Sequence, residues 1–121
     1  FILEPDEQRP ISSHDKFLQE IMDTLNQNLD KTDFSISQMS WELNMSRSQL
    51  YRKVSALTGL SPTDLLRSIR LRTAASLFKS GHDNVSQVMH QVGFSNHSYF
   101  AKCFRELYQV NPSEYINRRK S

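Results

Sequence analysis

The sequence predicts an all-α fold of seven helices, and three observations support this prediction. Apolar side chains recur every three or four residues, as they do on one face of a helix. No segment alternates apolar and polar residues in the manner of a strand. The second half of the chain also repeats the pattern of the first half at an offset of 49 or 50 residues.

The chain begins with a segment that has no helical period. Residues 1–12 contain two prolines, and we interpret them as a linker. A leader helix is predicted from Ser13, which can cap its start, to Leu29. Its apolar face consists of Phe17, Leu18, Ile21, Met22, Leu25 and Leu29. We expect this face to pack on the first subdomain; the alternative is that the helix transmits a signal, or a dimer contact, from an upstream domain.

The ends of the remaining helices are predicted from capping residues, glycines and prolines. Ser35 is expected to cap a short helix that ends near Leu43, and Ser46 opens a longer helix that ends at Gly59. Pro62 suits the first turn of the longest helix, which is expected to reach about residue 79. The last three helices are predicted over residues 84–92, 95–108 and 111–118.

The internal repeat is informative at its two turns. Asn44 aligns with Gly93, and both residue types tolerate the positive φ that a sharp turn requires. The apolar residues that follow, Met45 and Phe94, are expected to fill the space between two helices.

A serine cap, Ser46 or Ser95, is expected after each turn, followed by a longer helix. Two helices joined by such a turn form a helix-turn-helix, whose second helix enters the major groove of DNA. Two copies in register therefore predict two DNA-reading units.

The charge distribution agrees with a polyanionic partner. Residues 1–34 carry eight acids and three bases, a net charge of −5, whereas residues 35–121 carry twelve bases and five acids, a net charge of +7. A basic segment of this length favours nucleic acid binding. The alternative is a helical protein-interaction module whose basic face binds an acidic partner.

The sequence resembles the AraC/XylS family of transcription regulators over about residues 14–118. The matching residues of the second half are Arg70, Leu71, Ala74, Leu77, Val85, Val88, Gly93, Phe94, Ser95, Ser98, Tyr99, Phe100, Phe104, Pro112, Tyr115 and Ile116. In the first half, residues 45–53 and 57–62 are similar to the family's first recognition helix and linker. Met89 and Gln109 depart from the pattern, which has a small residue and a glycine there.

The resemblance implies that one long helix bridges two helix-turn-helix subdomains. Residues 13–60 then form the leader helix and the first subdomain, residues 61–80 the bridging helix, and residues 81–121 the second subdomain. The resemblance also implies the output domain of a response regulator or hybrid two-component sensor. Its partners would be double-stranded DNA, an upstream receiver or sensor domain and, as a further candidate, RNA polymerase. We expect a bacterial, cytoplasmic fragment that is monomeric and makes no membrane contact.

The outward faces of the two recognition helices, about residues 46–58 and 95–108, are expected to read bases. The inward positions are Leu50, Val54, Leu57, Phe100, Phe104 and Leu107. The outward, base-reading candidates are Arg47, Ser48, Tyr51, Arg52, Asn96, His97, Ser98 and Lys102. The resemblance independently implies base contacts by Ser48, Tyr51 and Arg52. Phosphate candidates are Ser37, Ser46, Lys53, Ser86, Ser95, Tyr99 and Arg105.

Several of these assignments have a simpler alternative. Arg52 and Lys102 are otherwise surface charges, and His97 a solvated side chain. Residues 118–120 form either a solvated tail or a contact with the DNA backbone. Trp41 and Cys103 are expected to be packing residues.

The sequence contains no recognisable catalytic motif. The four histidines and the single cysteine lack the spacing of a zinc site. The chain has only three glycines and no glycine-rich phosphate loop. We therefore expect no enzyme activity, metal or cofactor.

Overall fold

A computed structural model of the chain describes residues 13–120, which form seven α-helices and no strand. The helices are α1 (Ser13–Gln27), α2 (Ile36–Glu42), α3 (Arg47–Thr58), α4 (Pro62–Lys79), α5 (Val85–Gln91), α6 (His97–Tyr108) and α7 (Pro112–Lys120). The predicted all-α fold of seven helices is confirmed. The predicted linker, residues 1–12, lies outside the described residues.

The helices of the first repeat copy begin with capping boxes. Oγ of Ser35 accepts a hydrogen bond from the backbone N–H of Gln38, whose Oε1 accepts one from the Ser35 N–H, at 3.2 and 3.1 Å. Ser46 and Gln49 repeat this pair at 3.1 and 3.0 Å at the start of α3. Each box satisfies two backbone N–H groups that would otherwise lack a partner. Both predicted serine caps are confirmed.

The helices of the second copy use asparagine caps. Oδ1 of Asn84 accepts from the backbone N–H of Gln87 at 3.0 Å, and Oδ1 of Asn96 accepts from that of Tyr99 at 2.8 Å. The prediction that Ser95 caps the second recognition helix is therefore wrong. Ser95 is the additional residue of the second turn, and asparagine caps a helix as effectively as serine.

The two turns between paired helices have the same geometry. Asn44 has φ 56° and Gly93 has φ 92°, which confirms the positive φ expected at both positions. The N–H groups of the next residues, Met45 and Phe94, each donate to the carbonyl five positions back at 3.0 Å. Met45 is half-buried and Phe94 is buried, as expected for residues that fill the space between the helices.

The second turn has no room for a side chain at Gly93. A Cβ atom there would lie 2.2 Å from the carbonyl oxygen of Leu29 and 2.8 Å from two guanidinium atoms of Arg70. The same guanidinium donates a hydrogen bond to the carbonyl of Lys31 at 2.9 Å. Its burial lowers the pKa of Arg70. The absence of a side chain at Gly93 therefore allows the segment between α1 and α2 to approach the second turn.

Both departures from the family pattern are accommodated. Gln109 ends α6 with φ 66°, and Gly59 ends α3 with φ 75°, so the two recognition helices have the same left-handed C-cap. A left-handed non-glycine residue costs about 1–2 kcal/mol, so Gln109 is locally strained. Met89 is 2% exposed and forms part of the core of its unit.

The described chain divides into two compact units, with a boundary inside α4. The first comprises residues 13–28 and 34–66, and the second residues 29–33 and 67–120. The apolar core of the first unit consists of Phe17, Ile21, Leu25, Phe34, Met39, Leu50, Val54, Leu65 and Leu66. The core of the second includes Ile69, Leu71, Ala74, Phe78, Val88, Val92, Phe94, Phe100, Phe104, Val110 and Ile116.

The leader helix lies in the first unit. Ile21 and Leu25 are 1% and 0% exposed, and α1 contacts α2. The helix ends at Gln27 rather than at Leu29. Leu29 instead lies in the segment that packs with the second unit.

Three apolar side chains are more exposed than expected. Trp41 is 80% exposed, so its assignment as a packing residue is wrong. Its side chain lies away from the buried Met39 because two positions correspond to about 200° around a helix. Leu107 is 39% exposed in the last turn of α6, so its inward assignment is also wrong, and Leu57 is only half-buried. Cys103 is buried, as expected.

Among the described residues, no helix combines the length and the apolar composition that a membrane span requires. Within residues 13–120, no three His, Cys, Asp or Glu side chains converge in the manner of metal ligands.

Candidate nucleic-acid interface

The first recognition helix, α3, has a buried and an exposed face. Leu50 and Val54 are fully buried and fix the helix in the first unit. The predicted base readers Arg47, Ser48, Tyr51 and Arg52 are all exposed. Tyr51 is 56% exposed, which is unusual for an aromatic side chain and suits a residue whose partner lies outside the chain. The structure therefore brings these four side chains together on one accessible surface.

A groove adjoins this surface at the N-terminal ends of α3 and α4. It has a volume of about 400 Å³ and is lined by Ile36, Arg47, Ser48, Tyr51, Ser61, Pro62 and Thr63. Three of the predicted base readers therefore also form one wall of a concave surface that contains hydroxyl and apolar groups.

Lys53, a predicted phosphate contact, lies beside this set and has a neighbour from the leader helix. Its side chain is exposed, and its Nζ lies 4.8 Å from the centroid of the Phe17 ring. This distance is within the range of a cation–π contact. The spacing of apolar residues predicts a core position for Phe17 but not its contact with Lys53; the signal for that contact is an aromatic residue on the leader helix.

The second recognition helix, α6, exposes the other set of base readers. His97, Ser98 and Lys102 are exposed. Asn96 is exposed too, but its Oδ1 accepts the capping hydrogen bond. Only the amide NH₂ of Asn96 is therefore free of this role and able to donate to a base edge.

The phosphate candidates occupy different structural positions. Ser37 and Ser86 are exposed in the first turns of α2 and α5, where backbone N–H groups favour anions. Ser46 is exposed but uses its hydroxyl oxygen as a cap, whereas Ser95 is exposed and is not a cap.

Tyr99 and Arg105 complete the predicted phosphate set. Tyr99 is 47% exposed, and its ring centroid lies 6.0 Å from that of the buried Phe94. Its side chain is thus partly packed and partly accessible. Arg105 is exposed in the last turn of α6, away from the base readers at the start of that helix.

The two described arginines of the basic C-terminal segment differ in their contacts. Arg118 is exposed, whereas Arg119 forms an ion pair with Asp83. One of the two described arginines of the expected tail is therefore engaged within the second unit.

Arg70 has a role that sequence reasoning did not assign. Its guanidinium occupies the space beside Gly93 and donates a hydrogen bond to the carbonyl of Lys31. The available signal was the glycine itself, because a turn without a side chain allows close approach of another group.

Two helix-turn-helix units, each exposing polar and basic side chains on its second helix, define a tandem helix-turn-helix class of DNA-binding domain. A family model described as "Helix-turn-helix domain" matches residues 39–118, and one described as "Bacterial regulatory protein, Fis family" matches residues 20–57. The chain belongs to the AraC-type family of helix-turn-helix domains, which are DNA-binding domains of transcription regulators.

Two curated relatives are longer than this chain. One is named "Histidine kinase P4" from Formosa agariphila; it is 37% identical over 109 residues, which cover 89% of this chain and 8% of the relative. The other is named "HTH-type transcriptional regulator MtrA" from Neisseria gonorrhoeae; it is 39% identical over 83 residues, which cover 69% of this chain and 28% of the relative. The chain thus spans only a small part of the length of these relatives.

A solved structure described as a DNA-binding transcriptional dual regulator from Escherichia coli K-12 has the same fold. The TM-score is 0.72 and the identity is 27%, and the match covers 83% of this chain and 94% of the other.

Proposed function

We propose that this chain recognises a specific double-stranded DNA sequence by inserting α3 and α6 into two successive segments of the major groove. One observation supports this proposal above the others. At an offset of 50 residues, α3 and α6 have the same length, a side-chain N-cap at the same position and the same left-handed C-cap. Three exposed positions correspond as polar or basic pairs, as expected of two copies of one DNA-reading element: Arg47 with His97, Ser48 with Ser98, and Arg52 with Lys102.

Within this proposal, two groups of side chains have different tasks. Base edges are read by the exposed side chains near the start of the two recognition helices, namely Arg47, Ser48, Tyr51, Arg52, Asn96, His97, Ser98 and Lys102. Backbone phosphates are bound by a second group, which fixes the position of the domain on the duplex: Ser37, Ser46, Lys53, Ser86, Ser95, Tyr99 and Arg105.

The salt dependence of binding tests the proposal against a protein-interaction module. Neutralising backbone phosphates releases counterions, so the affinity for a mixed-sequence duplex should fall steeply between about 50 and 200 mM salt. Fluorescence anisotropy with a labelled duplex measures this slope. A domain that binds no duplex at low salt would instead support the interaction module.

We further propose that the domain is the output module of a larger two-component protein in the bacterial cytoplasm, where the chromosome lies. The small share of the histidine kinase relative that the chain covers supports an upstream receiver or sensor domain. RNA polymerase is a candidate partner of that larger protein. An upstream domain that dimerises would raise affinity through effective concentration, without adding a DNA contact.

The oligomeric state of the isolated chain tests that arrangement. We expect sedimentation velocity to give a monomer, and DNA binding to be weaker than that of the longer protein. A stable dimer of the chain alone would show that dimerisation does not require the upstream domain.

A further inference from the structure

Phe17 and Lys53 form a contact between the leader helix and the first recognition helix. Nζ of Lys53 lies 4.8 Å from the centroid of the Phe17 ring. The ring is 8% exposed, so the core of the first unit fixes its position, whereas Lys53 is exposed. An ammonium group in this position is attracted to the negative face of the ring.

The contact matters because lysine is a flexible ligand for phosphate. Its four-carbon side chain loses rotamer freedom when the ammonium group is immobilised, and this loss weakens binding. A ring that already holds the ammonium group in the free protein removes part of the loss. Lys53 directly follows Arg52, the proposed base reader, in α3. The ring therefore holds the Lys53 ammonium group next to the residue that is proposed to read a base.

We propose that Phe17 is a positioning residue for DNA binding, because its ring holds the Lys53 ammonium group where that group binds a backbone phosphate. This inference rests on the proposed function. It makes the leader helix a contributor to DNA affinity.

A double-mutant cycle tests the inference with the 121-residue chain and a mixed-sequence duplex. Phe17→Leu keeps an apolar side chain but removes the aromatic face, and Lys53→Gln removes the charge. We expect Lys53→Gln to weaken binding and to reduce the salt slope by about one. Phe17→Leu should weaken binding about two- to fivefold, because the lysine side chain must then be ordered on binding, at the cost typical of one immobilised side chain. In the Lys53→Gln background, Phe17→Leu should have no further effect on affinity.

Two controls separate positioning from folding. Phe17→Tyr keeps the ring and should bind like the unmodified chain. Leu25→Val shortens a core side chain two turns further along α1 and should lower the thermal unfolding midpoint without changing the affinity. Thermal unfolding of every variant identifies the temperature at which all are folded, and the affinities are compared there.

The possible failures are distinguishable. A chain that binds no duplex contradicts the proposed function and this inference together. Unchanged binding by Lys53→Gln overturns the inference and leaves the other contacts of the proposed function in place. An equal loss from Phe17→Leu in both backgrounds, or the same loss from Leu25→Val, overturns the inference alone, because it assigns Phe17 a purely structural role.

Discussion

Close packing at the second turn depends on the missing side chain of Gly93. The carbonyl of Leu29 and the guanidinium of Arg70 occupy the space that a Cβ atom would need. The backbone at Gly93 is also in a conformation that other residues rarely adopt. Steric exclusion and backbone conformation therefore both restrict this position to glycine.

Gly93→Ala should lower the free energy of unfolding by about 2–5 kcal/mol, because a left-handed conformation and a steric overlap are combined. Gly59→Ala is the matched control, since Gly59 also has a positive φ but no atom lies within 4 Å of its Cβ position. Gly59→Ala should lower the free energy of unfolding by only about 1–2 kcal/mol. Urea denaturation measures both values, and equal losses would show that the contact with Leu29 is unimportant.

Two neighbouring residues of α3 should differ in what they contribute to DNA recognition. Arg52→Ala should weaken binding to the best site and relax preference at one or two base pairs, because arginine can bind a guanine through two hydrogen bonds. Lys53→Ala should weaken binding to all sequences alike, because phosphates carry no sequence information. Binding to a library of randomised sites separates the two effects. The same uniform loss for both variants would exclude Arg52 as a base reader.

The position at which helix α6 begins is determined by its capping residue. The side chain of Asn96 accepts the hydrogen bond that begins the helix, and Ser95 lies one position too early to do so. The second turn is consequently one residue longer than the first, although the helices on either side have the same lengths in both copies.

Asn96→Ala should therefore destabilise the chain by about 1 kcal/mol, because it leaves a backbone N–H of α6 without its partner. Ser95→Ala should change stability by less than about 0.5 kcal/mol, as is usual for an exposed residue with no capping role. Thermal unfolding followed by circular dichroism compares the two variants. A larger loss from Ser95→Ala would assign the cap to serine after all.

The sequence predicts these elements well where periodicity and breakers agree. All seven helices are predicted to within two residues at both ends, because capping residues, glycines and prolines mark them. The exact cap of α6 was not predictable, since serine and asparagine are almost equivalent caps and both stand at the turn. Trp41 was misassigned on its hydrophobicity, although its angular position relative to Met39 already indicated exposure.

Contacts between distant parts of the sequence are indicated only by residue type, namely a glycine at the second turn and an aromatic residue on the leader helix. Neither the Phe17–Lys53 contact nor the approach of Arg70 to Gly93 leaves a periodic signal, because each depends on how separate helices pack. The exposed faces of α3 and α6 were predictable, since they are the complements of buried faces with helical spacing.

At the scale of the whole molecule, charge and repetition support the same function. The basic residues are concentrated after residue 34, where both helix-turn-helix units lie, and the acids before it. Each unit has its own buried core and its own exposed recognition helix. A domain of this kind is expected to bind DNA with both units at once.

Hydroxyl-radical footprinting on a site selected from random DNA tests this central claim most directly. We predict two protected segments on one face of the duplex, about 10 bp apart, for one chain bound. Arg52→Ala and Lys102→Ala should each weaken protection most strongly in a different segment. Protection of a single short segment per chain would contradict the claim that both helix-turn-helix units read DNA.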